Sequence, residues 1–519
     1  MSDIGHEQEV APSFQPPALS AVAAQPAATY PVSVHLTDAQ TQKGWLVRSA
    51  SHDEAIAAAE AFADPSSLTA ATALRRRFSP DVAAWALTQV ELRRKAAAKL
   101  GGRAAGMYLT LRGLEQATRA RVSDWRAARM LSLGVPGVID LTAGLGADAM
   151  AFAAAGLHVV AVERDPETAS YLAHNLGSVV GVAGDATAGI PGMGQAEVIV
   201  GGKAVADSTG SSEQFLRRGV DSGVWAGGGG DVAASGSIPA RFSTTGRAEV
   251  IVGDAVALAD KLIAAHPDYA VYLDPSRRSA TGRSWRLADI TPPWEFVLGL
   301  LDRGCPLVVK LGPGFPLESI PAGVEACWVS DQGDLVELSL WPGTGRRAVA
   351  LHTGAESCSL GSYVRSGAGS AYETAQRTQT CLYAETPPPE LPAAPPRGYL
   401  IEPDPAVIRS GLAALLGEGL TALSPGIAYL SSDEPVRTPL ATCFEVCQRL
   451  PYREADMRAW VREHRVGIIE IKCRGVKLDP ASLRRKLRAQ GPNSATFIIS
   501  PTVDGTRVFV VQRAGTRLA

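Results

Sequence analysis

The feature that most constrains the fold is a glycine turn between an apolar run and an alanine-rich segment. Residues 138–148 read Val-Ile-Asp-Leu-Thr-Ala-Gly-Leu-Gly-Ala-Asp, and a second apolar run ends at Glu163. This order of strand, turn, helix, strand and acid is typical of half of a nucleotide-binding βαβ unit. Gly144 and Gly146 let the backbone pass close to a ligand, and the following helix presents its N-terminal amides. Glu163 follows Asp140 by about twenty residues, where a carboxylate can bind both hydroxyls of a ribose.

Two cofactors suit this turn, and a nicotinamide dinucleotide favours G-x-G-x-x-G/A, which Gly144, Gly146 and Ala149 satisfy loosely. Asp140 would repel a dinucleotide pyrophosphate but not the ammonium at the methionine end of S-adenosylmethionine (SAM). The D-x-x-x-G-x-G spacing resembles motif I of class I SAM-dependent methyltransferases. We therefore predict SAM as the cofactor, with a dinucleotide as the alternative. The predicted cofactor-binding residues are Asp140, Thr142, Gly144, Gly146, Asp148, Glu163 and Asp254.

Further apolar runs predict the rest of an α/β sheet. They lie at residues 250–254, 269–275, 306–314, 324–330 and 335–341. The last two are joined by Asp-Gln-Gly-Asp and predict a hairpin. The sequence therefore predicts a Rossmann-like class I methyltransferase sheet, parallel with an antiparallel final hairpin. Asp254 and Asp274 end two of its strands, at the edge where open α/β sheets bind ligands.

Length and composition limit the classes of protein. A chain of 519 residues is expected to form two or three domains. The net charge of −2 predicts no global attraction to nucleic acid, so any such surface must be local. The seven cysteines include no C-x-x-C pair, which predicts a reducing cytoplasm and no metal site. No apolar run suggests a signal peptide or a membrane span.

The composition changes along the chain and predicts five segments. They are a disordered tail (1–45), a helical region (46–129), the methyltransferase domain (130–345), a variable segment with a Pro-rich linker (346–396), and an α/β unit (397–519).

A six-residue repeat interrupts the predicted methyltransferase domain. Residues 196–201 read Ala-Glu-Val-Ile-Val-Gly and recur verbatim at 248–253, with a Gly/Ser-rich tract between them. We predict that the later copy is the native strand, because it leads into Asp254 and a helix. Residues 184–246 are then an insertion and a mobile loop. Asp185 remains the alternative to Asp254 for contacting the adenine amino group.

Two regions are locally basic. Residues 91–100 predict a solvated helix face, with an RNA-facing helix as the alternative. In the last unit, a predicted helix over 480–490 suits contacts to phosphate, and a charged surface without a ligand explains it equally well. Its basic residues are Arg484, Arg485, Lys486 and Arg488.

Several motifs between residues 70 and 515 resemble bacterial class I SAM-dependent methyltransferases that end in a THUMP-like domain. They lie at residues 113–118, 274–278, 402–409, 428–435 and 470–476. The resemblance implies SAM binding and RNA (tRNA or rRNA) as the partner and substrate. In this family the glycine turn more often reads Asp-Leu-Gly-Cys-Gly. The Thr142-Ala143 variant resembles the loop of a ribosomal-RNA guanine-N2 methyltransferase family.

Asp274 and Pro275 are the predicted catalytic residues, because Asp-Pro begins the motif with which amino-methyltransferases orient an exocyclic amine. Ser276-Arg277 replace the usual Pro-aromatic pair, so an arginine plane, Trp285 or Trp294 would have to stack on the base. The predicted substrate contacts are Arg277, Arg278, Lys310, Arg484, Arg485, Lys486 and Arg488.

Asp-Pro-x-Arg also resembles RNA 5-methyluridine methyltransferases, which attack the base with a cysteine. Cys305 begins the fifth predicted strand, at the end away from the ligand, which argues against that mechanism. The sequence therefore predicts a cytoplasmic RNA methyltransferase, with an exocyclic amine as the candidate methyl acceptor. Methylation of a small molecule or a protein, and SAM or RNA binding without turnover, are the alternatives.

Overall fold

The structure is a computed structural model that describes part of the chain. The described residues are 33–36, 50–180, 197–200, 248–277, 287–352, 374–376 and 379–514. The predicted tail and insertion lie outside these ranges except for two short strands, and so do Asp185, Arg278 and Trp285.

The described residues form strands in two large sheets and one short ribbon. The strands of the first large sheet and the ribbon are β1 (Ser33–Leu36), β2 (Gly137–Asp140), β3 (His158–Glu163), β4 (Glu197–Val200), β5 (Ala248–Val252), β6 (Ala270–Leu273), β7 (Ser276–Arg277), β8 (Ile290–Thr291), β9 (Leu307–Leu311), β10 (Val324–Asp331), β11 (Asp334–Pro342), β12 (Arg346–Leu351), β13 (Thr374–Gln376) and β14 (Gln379–Ala384). The strands of the second large sheet are β15 (Tyr399–Pro403), β16 (Thr421–Ala422), β17 (Leu430–Ser432), β18 (Ala441–Pro451), β19 (Val466–Cys473), β20 (Asn493–Thr502) and β21 (Gly505–Arg513).

The described residues form the following α-helices, given in chain order. They are α1 (Ala50–Glu60), α2 (Leu68–Arg75), α3 (Pro80–Leu100), α4 (Leu111–Gln116), α5 (Ala120–Leu131), α6 (Ala147–Ala154), α7 (Pro166–Val180), α8 (Ala255–Ala265), α9 (Trp294–Leu301), α10 (Pro405–Ser410), α11 (Glu454–Glu463) and α12 (Pro480–Leu487). The longest, α3, begins after Ser79, whose hydroxyl accepts a hydrogen bond from the Val82 amide, with Pro80 in its first position.

The first large sheet has the predicted Rossmann-like order. Its central strands run β5-β3-β2-β6-β9-β11-β10. The strands from β5 to β9 pair in parallel, whereas β11 is antiparallel to both β9 and β10. The prediction of a parallel sheet with an antiparallel final hairpin is therefore confirmed.

Both faces of this sheet are covered by helices. Val138 belongs to a buried cluster that includes residues of α3, α5, α6 and α7, whereas its neighbour Ile139 belongs to a second cluster that includes residues of α8, α9 and α10. Both side chains are fully buried. A strand covered on both sides needs continuous apolar residues, which explains the unbroken apolar runs.

The sheet extends beyond its central strands at both edges. The later copy of the repeat forms β5 and pairs with β3, whereas the earlier copy forms β4 and pairs only with β1. On the opposite side, β10 pairs with β12, which pairs with β14, so the sheet continues past the predicted boundary at residue 345. Strands β1 and β4 fall within the segments predicted to be a disordered tail and an insertion.

The second large sheet forms the C-terminal unit, with strand order β16-β17-β15-β18-β21-β20-β19. Helix α10, which follows β15 of this unit, packs against strands β10 and β12 of the first sheet. The Arg409 guanidinium donates to the Phe315 carbonyl at 2.9 Å, and Arg346 donates to the Ser410 carbonyl at 3.2 Å. The motif at 402–409 is therefore the docking element between the two sheets.

Candidate functional site

A cavity of about 970 Å³ lies at the carboxyl ends of β2, β3, β5 and β6 and is bordered by residues of the N-terminal helical region. Its acidic lining residues are Asp140, Asp148, Glu163, Asp165, Asp254 and Asp274. Its basic lining residues are Arg112 and Arg164. This balance favours a ligand with net positive charge.

The glycine turn forms the floor of the cavity. Gly144 and Gly146 have φ values of 56° and 88°, a region that residues with a side chain rarely adopt. Apart from Gly144 and its two chain neighbours, no atom of the described residues lies within 4 Å of the place that a Cβ on Gly144 would occupy. The Thr142 amide donates to Asp140 Oδ1 at 3.1 Å and fixes the start of the turn. The backbone here is therefore shaped for close approach by a ligand.

Glu163 at the end of β3 connects the turn to the neighbouring strand. Its Oε2 accepts a hydrogen bond from the Gly144 amide at 3.1 Å, and its Oε1 accepts one from the Asp165 amide at 2.8 Å. Burial raises the pKa of Glu163, although these two backbone donors oppose the effect. Each oxygen keeps a second lone pair for a ligand hydroxyl.

Asp254 follows β5 and lines the same cavity. Its Oδ1 accepts hydrogen bonds from the amides of Val256 and Ala257 at 2.9 and 3.3 Å, so it caps α8. Oδ2 accepts neither of these bonds. The carboxylate therefore combines a capping role with an oxygen that can meet a ligand.

Asp140 is the most deeply buried acid of the cavity, with 1% of its surface exposed. Burial raises its pKa well above the usual range, and the nearby carboxylates of Asp148, Asp274 and Glu163 raise it further. A cationic ligand beside this carboxyl group would lower its pKa and favour its ionised form, because the two charges attract each other.

A chain of polar contacts joins Asp274, which follows β6, to the helical region. Lys310 Nζ lies 2.5 Å from Asp274 Oδ2 and donates to Thr118 Oγ1 at 2.9 Å. Thr118 in turn donates to Asp148 Oδ2 at 2.6 Å. Burial lowers the pKa of Lys310, but Asp274 and Asp148 outweigh it and the net shift is upward. Lys310 therefore holds one Asp274 oxygen, and Oδ1 has no hydrogen-bond partner among the described residues.

Asp148 is also held from its other side. The fully buried Arg126 contacts both Asp148 Oδ1 and Glu337 Oε2, and the Tyr272 hydroxyl donates to Asp148 Oδ2 at 3.0 Å. Burial raises the pKa of Asp148, but the nearby positive charges of Arg126 and Lys310 lower it by more. The net shift of the Asp148 pKa is therefore downward. Asp148 was predicted to bind the cofactor, yet both its oxygens already have protein partners.

The other predicted residues are distributed unevenly. Pro275 lines the cavity with Asp274, and the Thr142 hydroxyl accepts a hydrogen bond from the Asp274 amide at 2.6 Å. Arg277 lies in β7, which pairs with β8. Cys305 precedes β9 and is not among the cavity-lining residues, and burial raises the pKa of its thiol. A cysteine nucleophile at that position remains disfavoured.

The predicted basic helix is α12, in the C-terminal unit. Arg484, Arg485 and Lys486 of this helix are exposed, and so is Arg488, which follows its last residue. Arg484 donates to the Ile469 carbonyl at 3.0 Å, and Lys486 lies 3.5 Å from a Glu454 oxygen. None of them is among the residues lining the cavity.

The basic run in α3 instead makes contacts within the helical region. Arg93 lies 3.3 Å from Glu60, and Lys95 lies 2.7 Å from Glu91. Lys99 donates to the carbonyls of Leu114 and Glu115 at 2.8 and 2.7 Å. These contacts favour a structural role over an RNA-facing one.

Sequence reasoning missed the contribution of the helical region to the site. Thr110, Arg112, Gly113, Gln116, Ala117 and Thr118 line the cavity. A Cβ on Gly113 would come within 2.3 Å of Leu145, so a small residue is needed where α4 meets the glycine turn. The motif at 113–118 was the available signal, but its spacing to the turn gives no indication of contact.

Two family descriptions match parts of this chain. Residues 441–513 match the THUMP domain-like family, a span that includes β18 to β21 with α11 and α12. Residues 48–96 match a domain of unknown function.

A protein of Mycobacterium tuberculosis, named an uncharacterized S-adenosylmethionine-dependent methyltransferase in strains CDC 1551 and H37Rv, is similar in sequence. It is 32% identical to this chain over 254 residues. The alignment covers 45% of this chain and 62% of the relative, so the chain spans less than two thirds of that protein.

A crystal structure titled as a methyltransferase of Porphyromonas gingivalis W83 has the same fold. Its TM-score is 0.61 at 19% identity, over 89% of this chain and 98% of that chain. The sequence matches confirm the predicted resemblance to SAM-dependent methyltransferases with a THUMP-like C-terminal domain, and this structure confirms the fold.

Membrane spans and metal clusters are both absent from the described residues. Each helix in the described ranges is too short or too polar to cross a membrane. Within the same ranges, no group of three or more His, Cys, Asp or Glu side chains is placed to hold a metal ion.

Proposed function

We propose that this protein is a class I SAM-dependent methyltransferase that methylates a base of tRNA or rRNA in the cytoplasm. The observation that carries the proposal is the location of Asp274 and Pro275 on the wall of the cavity that contains the glycine turn and Glu163. A methyl donor and an acceptor base can meet only where both sites share one space. The similarity to a SAM-dependent methyltransferase and the matching fold support the same conclusion.

The residues fit SAM better than a dinucleotide. SAM has net positive charge, because its ammonium and sulfonium outweigh one carboxylate, and the cavity is rich in acids. We assign Asp140 to the ammonium, Glu163 to the ribose hydroxyls and Asp254 to the adenine amino group. Gly144 and Gly146 allow close approach, whereas a pyrophosphate would meet Asp140 at the end of β2.

Asp274 is the proposed catalytic residue. Bound SAM supplies an electrophilic methyl group. Asp274 Oδ1 accepts one N–H of the exocyclic amine and the Asp274-Pro275 backbone accepts the other, which directs the nitrogen lone pair towards the methyl carbon. Lys310 holds Oδ2, and Thr142 holds the Asp274 amide, so the carboxylate is oriented before substrate arrives. After transfer, Asp274 accepts the proton that the methylated amine releases.

We assign the remaining predicted cofactor residues to supporting roles. Thr142 orients the Asp274 backbone, and Asp148 orients Lys310 through Thr118. A misplaced catalytic group loses much of the benefit of proximity, so both residues affect turnover without touching the base.

RNA as the substrate class rests on the C-terminal unit. The THUMP domain-like match covers residues 441–513, and α12 within it presents exposed basic side chains. We propose that residues 397–519 hold the RNA backbone and that residues 130–345, with their extension to β14, perform the chemistry. Phosphate contacts give affinity without selecting a base, so the choice of base would fall to the cavity.

The activity is tested with isotopically methyl-labelled SAM and total RNA from a strain that lacks the gene. Mass spectrometry of the digested RNA should show one labelled nucleoside with the wild type and none with Asp274→Ala, which removes the accepting oxygen. Asp268→Ala is the matched control, because this exposed acid precedes β6 at its opposite end. Label in protein or small molecules, but not in RNA, would refute the proposed substrate class.

RNA delivery is tested separately by replacing Arg484, Arg485, Lys486 and Arg488 with alanine. The salt dependence of RNA binding should decrease in slope by about 0.7–0.9 for each phosphate group that the variant no longer binds. The control replaces the exposed residues 75–77, which are three arginines at the end of α2, and should leave the slope unchanged. Equal effects of both replacements would indicate non-specific attraction instead of a binding surface.

A further inference from the structure

We propose that Arg112 binds the carboxylate of the methionine end of the cofactor, and this inference rests on the proposed SAM site. Arg112 lies in α4, outside the βαβ unit that supplies the assigned SAM residues. The N-terminal helical region thereby takes part in selecting the cofactor.

The position of α4 places Arg112 at the correct end of the cavity. Gly113, the next residue, packs directly against Leu145 between the two glycines of the turn. Thr118, just beyond α4, donates to Asp148 in the first turn of α6. Arg112 itself lines the cavity and is exposed. The helix therefore lies over the glycine turn, where the methionine end is assigned through Asp140.

The helix is held rigidly enough to present a side chain. At its start, the Thr110 hydroxyl accepts a hydrogen bond from the Gly113 amide at 3.0 Å. At its end, Lys99 donates to the Leu114 and Glu115 carbonyls. Binding to a pre-positioned element loses less entropy on association than binding to a mobile loop.

The ligand chemistry requires a cation at this place. The carboxylate and ammonium of SAM are attached to the same carbon, so an ammonium beside Asp140 brings the carboxylate into a strongly acidic cavity. Arg164, the other basic lining residue, follows Glu163 on the ribose side. Lys310 is engaged by Asp274 and Thr118. Among the described residues, Arg112 has neither a hydrogen-bond nor an ion-pair partner, and a guanidinium can bind a carboxylate through two parallel bonds.

The test compares SAM with decarboxylated SAM, which keeps the sulfonium, the amine and the adenosine but lacks the carboxylate. Calorimetry should show that Arg112→Ala weakens SAM binding about tenfold to a hundredfold, the usual effect of losing charge-assisted hydrogen bonds. The same variant should bind decarboxylated SAM within about twofold of the wild type. Arg112→Lys should recover part of the SAM affinity, because it restores charge without the paired geometry.

Arg164→Ala is the matched control, since it removes the other cavity arginine and should not discriminate between the two ligands. The inference is overturned if Arg112→Ala leaves SAM binding unchanged or weakens both ligands equally. It is also overturned if the variant loses only RNA affinity, which would indicate a phosphate contact. Wild-type protein that binds no SAM would refute the proposed function itself, whereas wild-type binding with an unaffected Arg112 variant would refute this assignment alone.

Discussion

Replacing Arg126 with methionine should destabilise the protein strongly. Its side chain is 0% exposed and lies between Asp148 and Glu337, whose side chains are 8% and 2% exposed. Methionine fills a similar volume but leaves two buried carboxylates without their shared cation. Breaking a buried ion pair from one side costs about 3–5 kcal/mol. We expect the free energy of unfolding near neutral pH to fall by about that amount.

Urea unfolding followed by tryptophan fluorescence measures this loss. The matched control is Arg103→Met, which breaks an ion pair with Asp124 where the two side chains are 25% and 54% exposed. Exposed pairs contribute about 0–1 kcal/mol, so the control should remain close to the wild type. A loss of less than about 1 kcal/mol for Arg126→Met would refute the claim that this network supports the site.

The pH dependence of the Arg126→Met variant gives a second check. Arg126 holds the pKa of Asp148 below its usual range, so Asp148 stabilises the wild type above its unfolded-state pKa. Without Arg126 the pKa rises, and the native variant takes up protons as the pH falls. The difference in the free energy of unfolding between variant and wild type should therefore become smaller as the pH falls from about 8 to about 5. A constant difference across that range would contradict the assigned cause.

Asp140→Asn should stabilise the free protein at neutral pH and weaken SAM binding. Burial raises the Asp140 pKa, so the buried charge destabilises the fold at pH values above the unfolded-state pKa, and asparagine removes that charge. The stability gain should disappear in acid, which urea midpoints measured at several pH values will show. Glu163→Ala removes the ribose contact and should weaken SAM binding by at least about 1.5–3 kcal/mol; unchanged affinity in calorimetry would reject that assignment. Arg409→Ala removes the hydrogen bond to the Phe315 carbonyl and should weaken the contact between the C-terminal unit and the first sheet. Faster proteolysis between the two units is the expected result, and an unchanged cleavage rate would reject the docking role.

Local sequence patterns were sufficient for the central sheet. Unbroken apolar runs around Ile139 and Val160 indicated strands buried on both faces, and both residues are fully buried. The positive φ values of Gly144 and Gly146 required glycine, so the turn was visible in the sequence. The repeat was also interpreted correctly at its later copy, which pairs with β3.

The same patterns did not indicate which distant residues complete the site. Thr118 and Arg126 come before the glycine turn in sequence, and their contacts with Asp148 depend on how α4 and α5 pack against α6. Asp148 opens α6 after the turn, and its oxygens contact side chains that no local spacing could place there.

The sequence by itself therefore determined the strands, the glycine turn and the acids at the strand ends, because those depend on residue type and short-range periodicity. Only the tertiary structure decided which of these acids face the cavity, which are neutralised by buried cations, and that α4 lies over the turn with Arg112 in the cavity. Such contacts join residues far apart in the chain. They are set by the packing of whole helices against the sheet, and short-range patterns carry no record of that packing.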